Sequence, residues 1–199
     1  MIMGRIYFLL GGARSGKSEY SENLASSLSE KVAYLATAEI IDEEMQKRIE
    51  LHRSRRPAGW QTFEFKESNI SIDDINPVLE SVISQQSEVI LIDCITNLLF
   101  RIVYKHRVED LEIIDNVFER KIEAEVAEFF EQFLSQLIKA RDEHNLNVII
   151  VSNEVGLGLV PPYPFGRVFR DLLGLVNKKA ASISDEVYFF VAGLKMQMK

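Results

Sequence analysis

The chain has 199 residues, 47% of them hydrophobic and 27% charged, with ten glycines and five prolines. That composition suits one globular domain over residues 1–199 and excludes a collagenous, low-complexity or disordered chain. Acidic residues outnumber basic ones by 30 to 23, a net charge of −7. No overall positive field draws nucleic acid or anionic lipid, so neither is an expected partner, and any anionic ligand has to be held by a local site. The single cysteine, Cys94, can form neither an intramolecular disulfide nor a Cys-x-x-Cys metal site, which suits the reducing cytoplasm. No apolar run has the length of a signal-peptide core or the ~18 residues of a membrane span.

In chain order, Ile6–Leu10 is an apolar run of strand length, and after a glycine-rich segment Lys17–Ser29 has helical period. Val32–Ala36 reads as a strand and Asp42–Arg55 as a helix, whereas the four residues Thr62-Phe63-Glu64-Phe65 are too few to fix their type. A helix at Ile75–Ser84 and a strand at Val89–Ile92 follow. The polar, mixed-charge stretch Phe100 to Asp115 then reads as a surface excursion or lid-like connection. The last elements are a helix at Ile114–Glu143, a strand at Val148–Val151, a helix at Val168–Ser182 and a strand at Val187–Val191. Buried strands alternating with helices predict an α/β class: a doubly wound, mostly parallel sheet with helices on both faces. In the longest helix Val117, Ile122, Val126, Phe129, Phe130, Phe133, Leu134, Leu137 and Ile138 follow helical spacing, a stripe suited to the sheet or to a second subunit.

Gly11-Gly12-Ala13-Arg14-Ser15-Gly16-Lys17-Ser18 matches G-x-x-x-x-G-K-[ST] between the first strand and the first helix, the context that a phosphate loop requires. Glycines let successive backbone N–H groups turn onto phosphate oxygens, and the helix N-terminus adds its positive end. Lys17 reaches the β- and γ-phosphates, and the Ser18 hydroxyl can ligate Mg²⁺. The run Val89-Ile90-Leu91-Ile92-Asp93 brings a carboxylate to a strand end. Walker-type sites hold Mg²⁺ through its water shell with such a group on a neighbouring strand, although the same Asp also suits a cap on the next turn. Its neighbour Cys94 has no adjoining basic residue and reads as a packed side chain rather than a nucleophile.

Wound as a helix, residues 42–55 place Arg48 and His52 one turn apart, with Arg55 and Arg56 a further turn along. Ile41, Met45 and Ile49 point nearly the same way as His52. The imidazole therefore fits two roles: a half-buried structural group, or a nucleophile or acid/base among phosphate-binding arginines. His106 and His144 stand in polar surroundings and are expected at the surface. Val151-Ser152-Asn153-Glu154-Val155-Gly156-Leu157-Gly158-Leu159-Val160-Pro161 leaves a strand for a loop with two glycines, with Arg167, Phe169, Arg170, Asp171 and Asn177 beyond it. Loops at the carboxyl ends of parallel strands form the binding crevice, which makes Asn153, Glu154, Arg167 and Arg170 substrate candidates. For Asn153 and Glu154 plain capping is the alternative.

Together these segments resemble the bifunctional adenosylcobinamide kinase / adenosylcobinamide-phosphate guanylyltransferase family. The family's order and spacing hold from Gly11 to Asp185 through GGARSGKS, A-T-A-E-x-x-D-x-E-M-x-x-R-I-x-x-H-x-x-x-R-P-x-x-W-x-T-x-E, I-D-C-I-T, S-N-E-V-G-x-G-x-V-P and R-x-F-R-D-x-x-G-x-x-N. The resemblance implies a P-loop NTPase fold of the RecA-like kind and two reactions. GTP or ATP phosphorylates the aminopropanol hydroxyl of adenosylcobinamide, and GTP then gives GMP to a histidine, from which it passes to adenosylcobinamide phosphate. The guanylylated histidine falls on His52, and a neutral imidazole of pKa about 6.5 is nucleophilic at pH 7. By the same resemblance Lys17 is catalytic, and the phosphate loop from Gly11 to Ser18 binds the nucleotide. Arg53, Ser54, Arg55 and Arg56 surround its phosphates, Glu39, Ile40, Ile41 and Glu64 line the guanine nucleotide site, and Ser18 with Asp93 holds Mg²⁺. A corrinoid substrate, a homotrimer and a cytoplasmic location are implied as well. A chain that keeps one of the two activities, another small-molecule P-loop kinase, and a GTP-dependent switch or assembly factor would each share part of these motifs. A switch has no need of His52, Asn153 or Glu154.

Overall fold

The computed structural model describes residues 3–39, 43–65, 70–106 and 115–199, except for the side chains at positions 44, 45, 48, 52 and 55. The described strands are β1 (Ile6–Gly11), β2 (Val32–Ala36), β3 (Gln61–Glu64), β4 (Val89–Asp93), β5 (Asn147–Asn153), β6 (Glu186–Val191) and β7 (Leu194–Gln197). The described helices are α1 (Lys17–Leu28), α2 (Glu43–Arg55), α3 (Ile72–Ser84), α4 (Ile95–Tyr104), α5 (Asn116–His144) and α6 (Pro164–Ile183). The strands form one sheet in the order β3-β2-β4-β5-β1-β6-β7, parallel throughout except for the β6–β7 hairpin.

Side chains alternate across the sheet, and each face has its own core. Ile6 and Phe8 of β1, Leu35 of β2, Ile90 and Ile92 of β4 and Ile150 of β5 pack against α3, α4, α5 and α6. Tyr7, Leu9, Tyr34, Leu91 and Val151 pack on the opposite face against α1 and Trp60. Burial on both sides is why these strands read as unbroken apolar runs, and it makes the sheet doubly wound as expected. The stripe on α5 packs into the core from Ile122 onward, with Ile122, Phe130, Phe133 and Leu137 fully buried, but Val117, expected in it, is 79% exposed in the first turn of the helix, ahead of the packed part.

The strand order corrects one expectation. Asp93 does not lie on a strand next to the phosphate-loop strand, because β5 intervenes: Gly11 is in register with Asn153, and Asp93 with Val151. Two strand spacings, ~10 Å, thus separate the β1 and β4 backbones. A strand inserted between the phosphate-loop strand and the carboxylate strand is the RecA-like arrangement of the P-loop NTPase fold.

The segment after β4 is also different from expectation. Phe100 to Tyr104 is no surface excursion but the second half of α4, a helix with Ile95, Leu98, Leu99, Ile102 and Val103 buried. Arg101 interrupts the apolar pattern in sequence yet is itself buried. The remainder of that stretch, residues 107–114, lies outside the described residues. Thr62-Phe63-Glu64 resolves as part of β3, parallel to β2. Helix α6 starts at Pro164, ahead of the expected Val168, with proline in the first turn where its missing N–H costs nothing. Strand β7 was not expected at all, since every one of its residues is exposed and no burial pattern marks it. Among the described residues no helix is long and apolar enough to cross a membrane.

Candidate active site

The carboxyl ends of β1, β4 and β5 meet at one edge of the sheet. Between β1 and α1 the loop folds with Arg14 and Gly16 at positive φ, 56° and 94°. At Gly16 a side chain would also meet the Gly193 Cα at 3.3 Å, so glycine is required there on both counts. Lys17 opens α1 and is buried, its ammonium donating to the Gly12 carbonyl at 3.2 Å. Burial lowers its pKa, against the opposing pull of Cys94 and Asp93. The Ser15 hydroxyl is buried with no hydrogen-bond partner among the described residues. An orphaned hydroxyl inside such a loop is what an incoming phosphate oxygen satisfies.

At the end of β4 the Asp93 carboxylate accepts a hydrogen bond of 2.9 Å from the Tyr34 hydroxyl. Burial, followed by the Asp93 charge, pushes the Tyr34 phenol far above its ordinary pKa, so it remains a donor. The Arg56 guanidinium lies over the Tyr34 ring, 3.4 Å from its centroid, and Trp60 stacks with the same ring. The Asp93–Cys94 peptide is cis. Thr37 binds this corner: its hydroxyl donates to the Cys94 carbonyl at 2.8 Å and accepts from the Cys94 N–H at 2.7 Å. Burial, with Asp93 adding to it, pushes the Cys94 thiol up to about 11, so it is a packed, neutral side chain.

The end of β5 is fixed by a buried polar network. Ser152 donates to Asn177 at 2.6 Å, Asn177 donates to the Asn153 carbonyl, and the Asn153 N–H donates to Thr96 at 2.8 Å. The next N–H, of Glu154, donates to the Gly11 carbonyl at 3.0 Å, and the Glu154 carboxylate accepts from the Gly156 N–H. Asn153 and Glu154 therefore stand directly beside the phosphate loop. Beyond them Val155, Leu157, Leu159, Val160 and Tyr163 are exposed in a single loop. Of the two arginines expected at the substrate, Arg167 donates to the Pro161 and Pro162 carbonyls and so braces that loop. Arg170 pairs with its neighbour Asp171 at 2.9 Å.

The arginine-rich end of α2 is brought in less completely. Arg53 is paired with Glu64 at 2.5 Å, joining two residues expected at the nucleotide, and Ser54 bonds back to the Leu51 carbonyl. The backbone of His52 lies in α2 one turn before Arg56. The side chains of His52 and Arg55, and residues Ile40 and Ile41, lie outside the described residues. Glu39 forms an ion pair with Arg101 of α4 at 3.7 Å.

Residues 7–198 match the family model described as cobinamide kinase / cobinamide phosphate guanyltransferase. The chain belongs to that family. It is 36% identical over 193 residues to the bifunctional adenosylcobalamin biosynthesis protein CobU of Escherichia coli (strain K12), covering 95% of this chain and 97% of the relative. It is 34% identical to the CobP protein of the same description from Pseudomonas aeruginosa, covering 96% and 95%. Among solved structures an ATPase from the type III secretion system of pathogenic bacteria superposes with a TM-score of 0.55 at 9% identity. That match covers 98% of this chain and 57% of the other, a likeness of fold alone. As a member of the cobinamide kinase / guanyltransferase family, the chain is a transferase of cobalamin biosynthesis with a P-loop nucleotide-binding fold.

For this family member two features of the site escaped the sequence reading. Arg101 is 3% exposed and joins three segments by bonding the Phe65 carbonyl as well as Glu39. A charge set among Leu98, Leu99 and Ile102 is the signal that could have found it. The second is the β6–β7 turn, Ala192-Gly193, with φ of 51° and 80°, the hairpin type that needs two left-handed residues. The Gly193 N–H donates to the Ser15 carbonyl at 3.1 Å and so braces the phosphate loop. Nothing crowds a side chain at Gly193, so Gly193→Val acts through backbone strain. It is expected to lower stability to chemical denaturation by ~1–2 kcal/mol and to weaken GTP binding. One histidine also differs from expectation: His106 is half-buried and bonded to Glu125 of α5 at 2.8 Å, because α5 packs over the end of α4. His144 is exposed.

Proposed function

We propose that this chain phosphorylates adenosylcobinamide and then transfers GMP from GTP, through a GMP–His52 intermediate, to adenosylcobinamide phosphate, giving adenosylcobinamide-GDP. The observation that carries this reading is the Arg56–Tyr34–Asp93 contact. It fastens the chain just after the helix bearing His52 to the carboxylate at the end of β4, which supports a reading in which one nucleotide site serves both reactions.

In the kinase step the substrate hydroxyl oxygen attacks the γ-phosphorus, the bond to the β-phosphate oxygen breaks, and the nucleoside diphosphate leaves. Lys17 and the backbone N–H groups of residues 11–18 hold the charge that develops on the phosphates. In the second reaction an imidazole nitrogen of His52 attacks the α-phosphorus of GTP and pyrophosphate departs. A phosphate oxygen of adenosylcobinamide phosphate then displaces the imidazole, which returns to its neutral form. Arg53, Ser54, Arg55 and Arg56 offer donors to the departing pyrophosphate. Glu39, Ile40, Ile41 and Glu64 line the guanine nucleotide. The Arg53–Glu64 pair joins these two groups of residues into one wall.

The donors present suit Mg²⁺. Ser18 and Asp93 supply hard oxygens, and the one soft donor nearby, Cys94, is held as a thiol. Two protein ligands are few, which suits a metal that arrives bound to the nucleotide and neutralises phosphate charge. The exposed apolar loop from Val155 to Tyr163, rooted at Asn153 and Glu154 and braced by Arg167, with Arg170 one turn on, is the proposed seat of the corrinoid. A homotrimer, as in the family resembled, and a cytoplasmic location complete the reading. No role is assigned to nucleic acid or membrane.

GTP labelled at the α-phosphate should leave acid-labile label on the protein, and unlabelled adenosylcobinamide phosphate should remove it. Triphosphate labelled at the γ-position should label adenosylcobinamide instead. Turnover of γ-phosphate with no label on the protein would sink the covalent route and leave a simple kinase. Slow GTP hydrolysis indifferent to corrinoid would point to a switch.

A further inference from the structure

We infer that Tyr34 is a positioning residue for Asp93: its buried hydroxyl engages one carboxylate oxygen and leaves the other to face the metal's water shell, while Arg56 clamps the ring from the end of α2. This rests on the reading of Asp93 as the magnesium carboxylate and adds to it the group that sets its orientation.

Register places the two side chains together. Ala36 of β2 is opposite Asp93 of β4, and Tyr34, two residues back, shares a face of the sheet with Ala36. That face is the one packed under α1. The Tyr34 ring spans the two-residue offset, and its hydroxyl reaches Asp93 Oδ2 at 2.9 Å. Tyr34 is 2% exposed, and packing alone would be served by phenylalanine. A buried hydroxyl has to find a partner, and among the described residues its partner is this carboxylate. Arg56 stacks on the ring at 3.4 Å, with Nε and Nη1 buried and without hydrogen-bond partners among the described residues. Its place is therefore set by the ring beneath it. Groups that orient a metal's carboxylate commonly change metal affinity by ~10–100-fold when lost.

Tyr34→Phe keeps the ring and the stack and removes only the hydroxyl. We expect the Mn²⁺ affinity of the protein–GTP complex, read by electron paramagnetic resonance, to fall about tenfold, with GTP binding in EDTA unchanged. The Mg²⁺ concentration for half-maximal phosphoryl transfer should rise by the same factor. Asp93→Asn is the reference. If it weakens Mn²⁺ binding and Tyr34→Phe does not, the inference about Tyr34 is overturned and Asp93 keeps its role. If Asp93→Asn leaves Mn²⁺ binding intact, the reading of Asp93 itself falls. In the double variant Tyr34→Phe should add no further loss, because it acts through Asp93. An additive loss would mean a general structural effect and would also overturn the inference.

Discussion

Lys17→Ala is expected to lower both phosphoryl transfer to adenosylcobinamide and guanylylation of the protein by about three orders of magnitude, ~4 kcal/mol of transition-state stabilisation. The ammonium is buried where β1 passes into α1, with the Gly12 carbonyl as its hydrogen-bond partner. When a triphosphate enters the loop, that charge moves from a neutral carbonyl to phosphate oxygens that become more negative as the reaction proceeds. Because it is sheltered from water, the interaction is screened little. Lys17→Arg should rescue poorly, since a planar guanidinium cannot occupy a cradle shaped for a compact ammonium. Initial rates with γ- and α-labelled nucleotide, taken alongside a thermal melt, check the result. Kinase activity surviving within about tenfold would overturn the assignment of the loop.

His52→Ala is expected to separate the two reactions. The covalent GMP label should fall to background, while phosphorylation of adenosylcobinamide stays within about twofold of the parent, because the imidazole bonds to phosphorus in only one of them. The bond to phosphorus should break in acid and survive in alkali, as a phosphoramidate does and a phosphoester of serine does not. Label persisting in the variant would transfer the nucleophile's role to another residue. Loss of both activities would mean that His52 shapes the shared nucleotide site rather than attacking within it.

The phosphate loop was legible in the sequence because its geometry is local: eight consecutive residues between a strand and a helix fix where Lys17 and Ser18 stand. Asp93 was legible as a carboxylate at a strand end, but its distance from the loop was not. Which strand lies beside β1 is decided by pairings across more than a hundred residues, and β5 is the one that enters. Arg101 was misread for a related reason. Its charge looks solvated in sequence, and the approach of Glu39 and the Phe65 carbonyl from distant segments makes its burial tolerable. Tyr34 was rightly placed in an apolar strand, yet its hydroxyl acquires meaning from the register of β2 on β4. Arg167 was legible as a substrate candidate beyond β5, but it stands in the first turn of α6, and its hydrogen bonds to Pro161 and Pro162 need the turn of the preceding loop, which residue types alone do not fix.

The ring stacked with Tyr34 belongs to Trp60, and the chain has no other tryptophan. Indole emission from this protein therefore originates at one address, a stacked neighbour of the phenol that bonds the Asp93 carboxylate. An event that moves Arg56, Tyr34 or Asp93 alters the surroundings of the same chromophore. A ligand that moves any of these three groups should therefore be visible as a change in tryptophan emission in a rapid-mixing experiment, on the unmodified chain and without an attached dye.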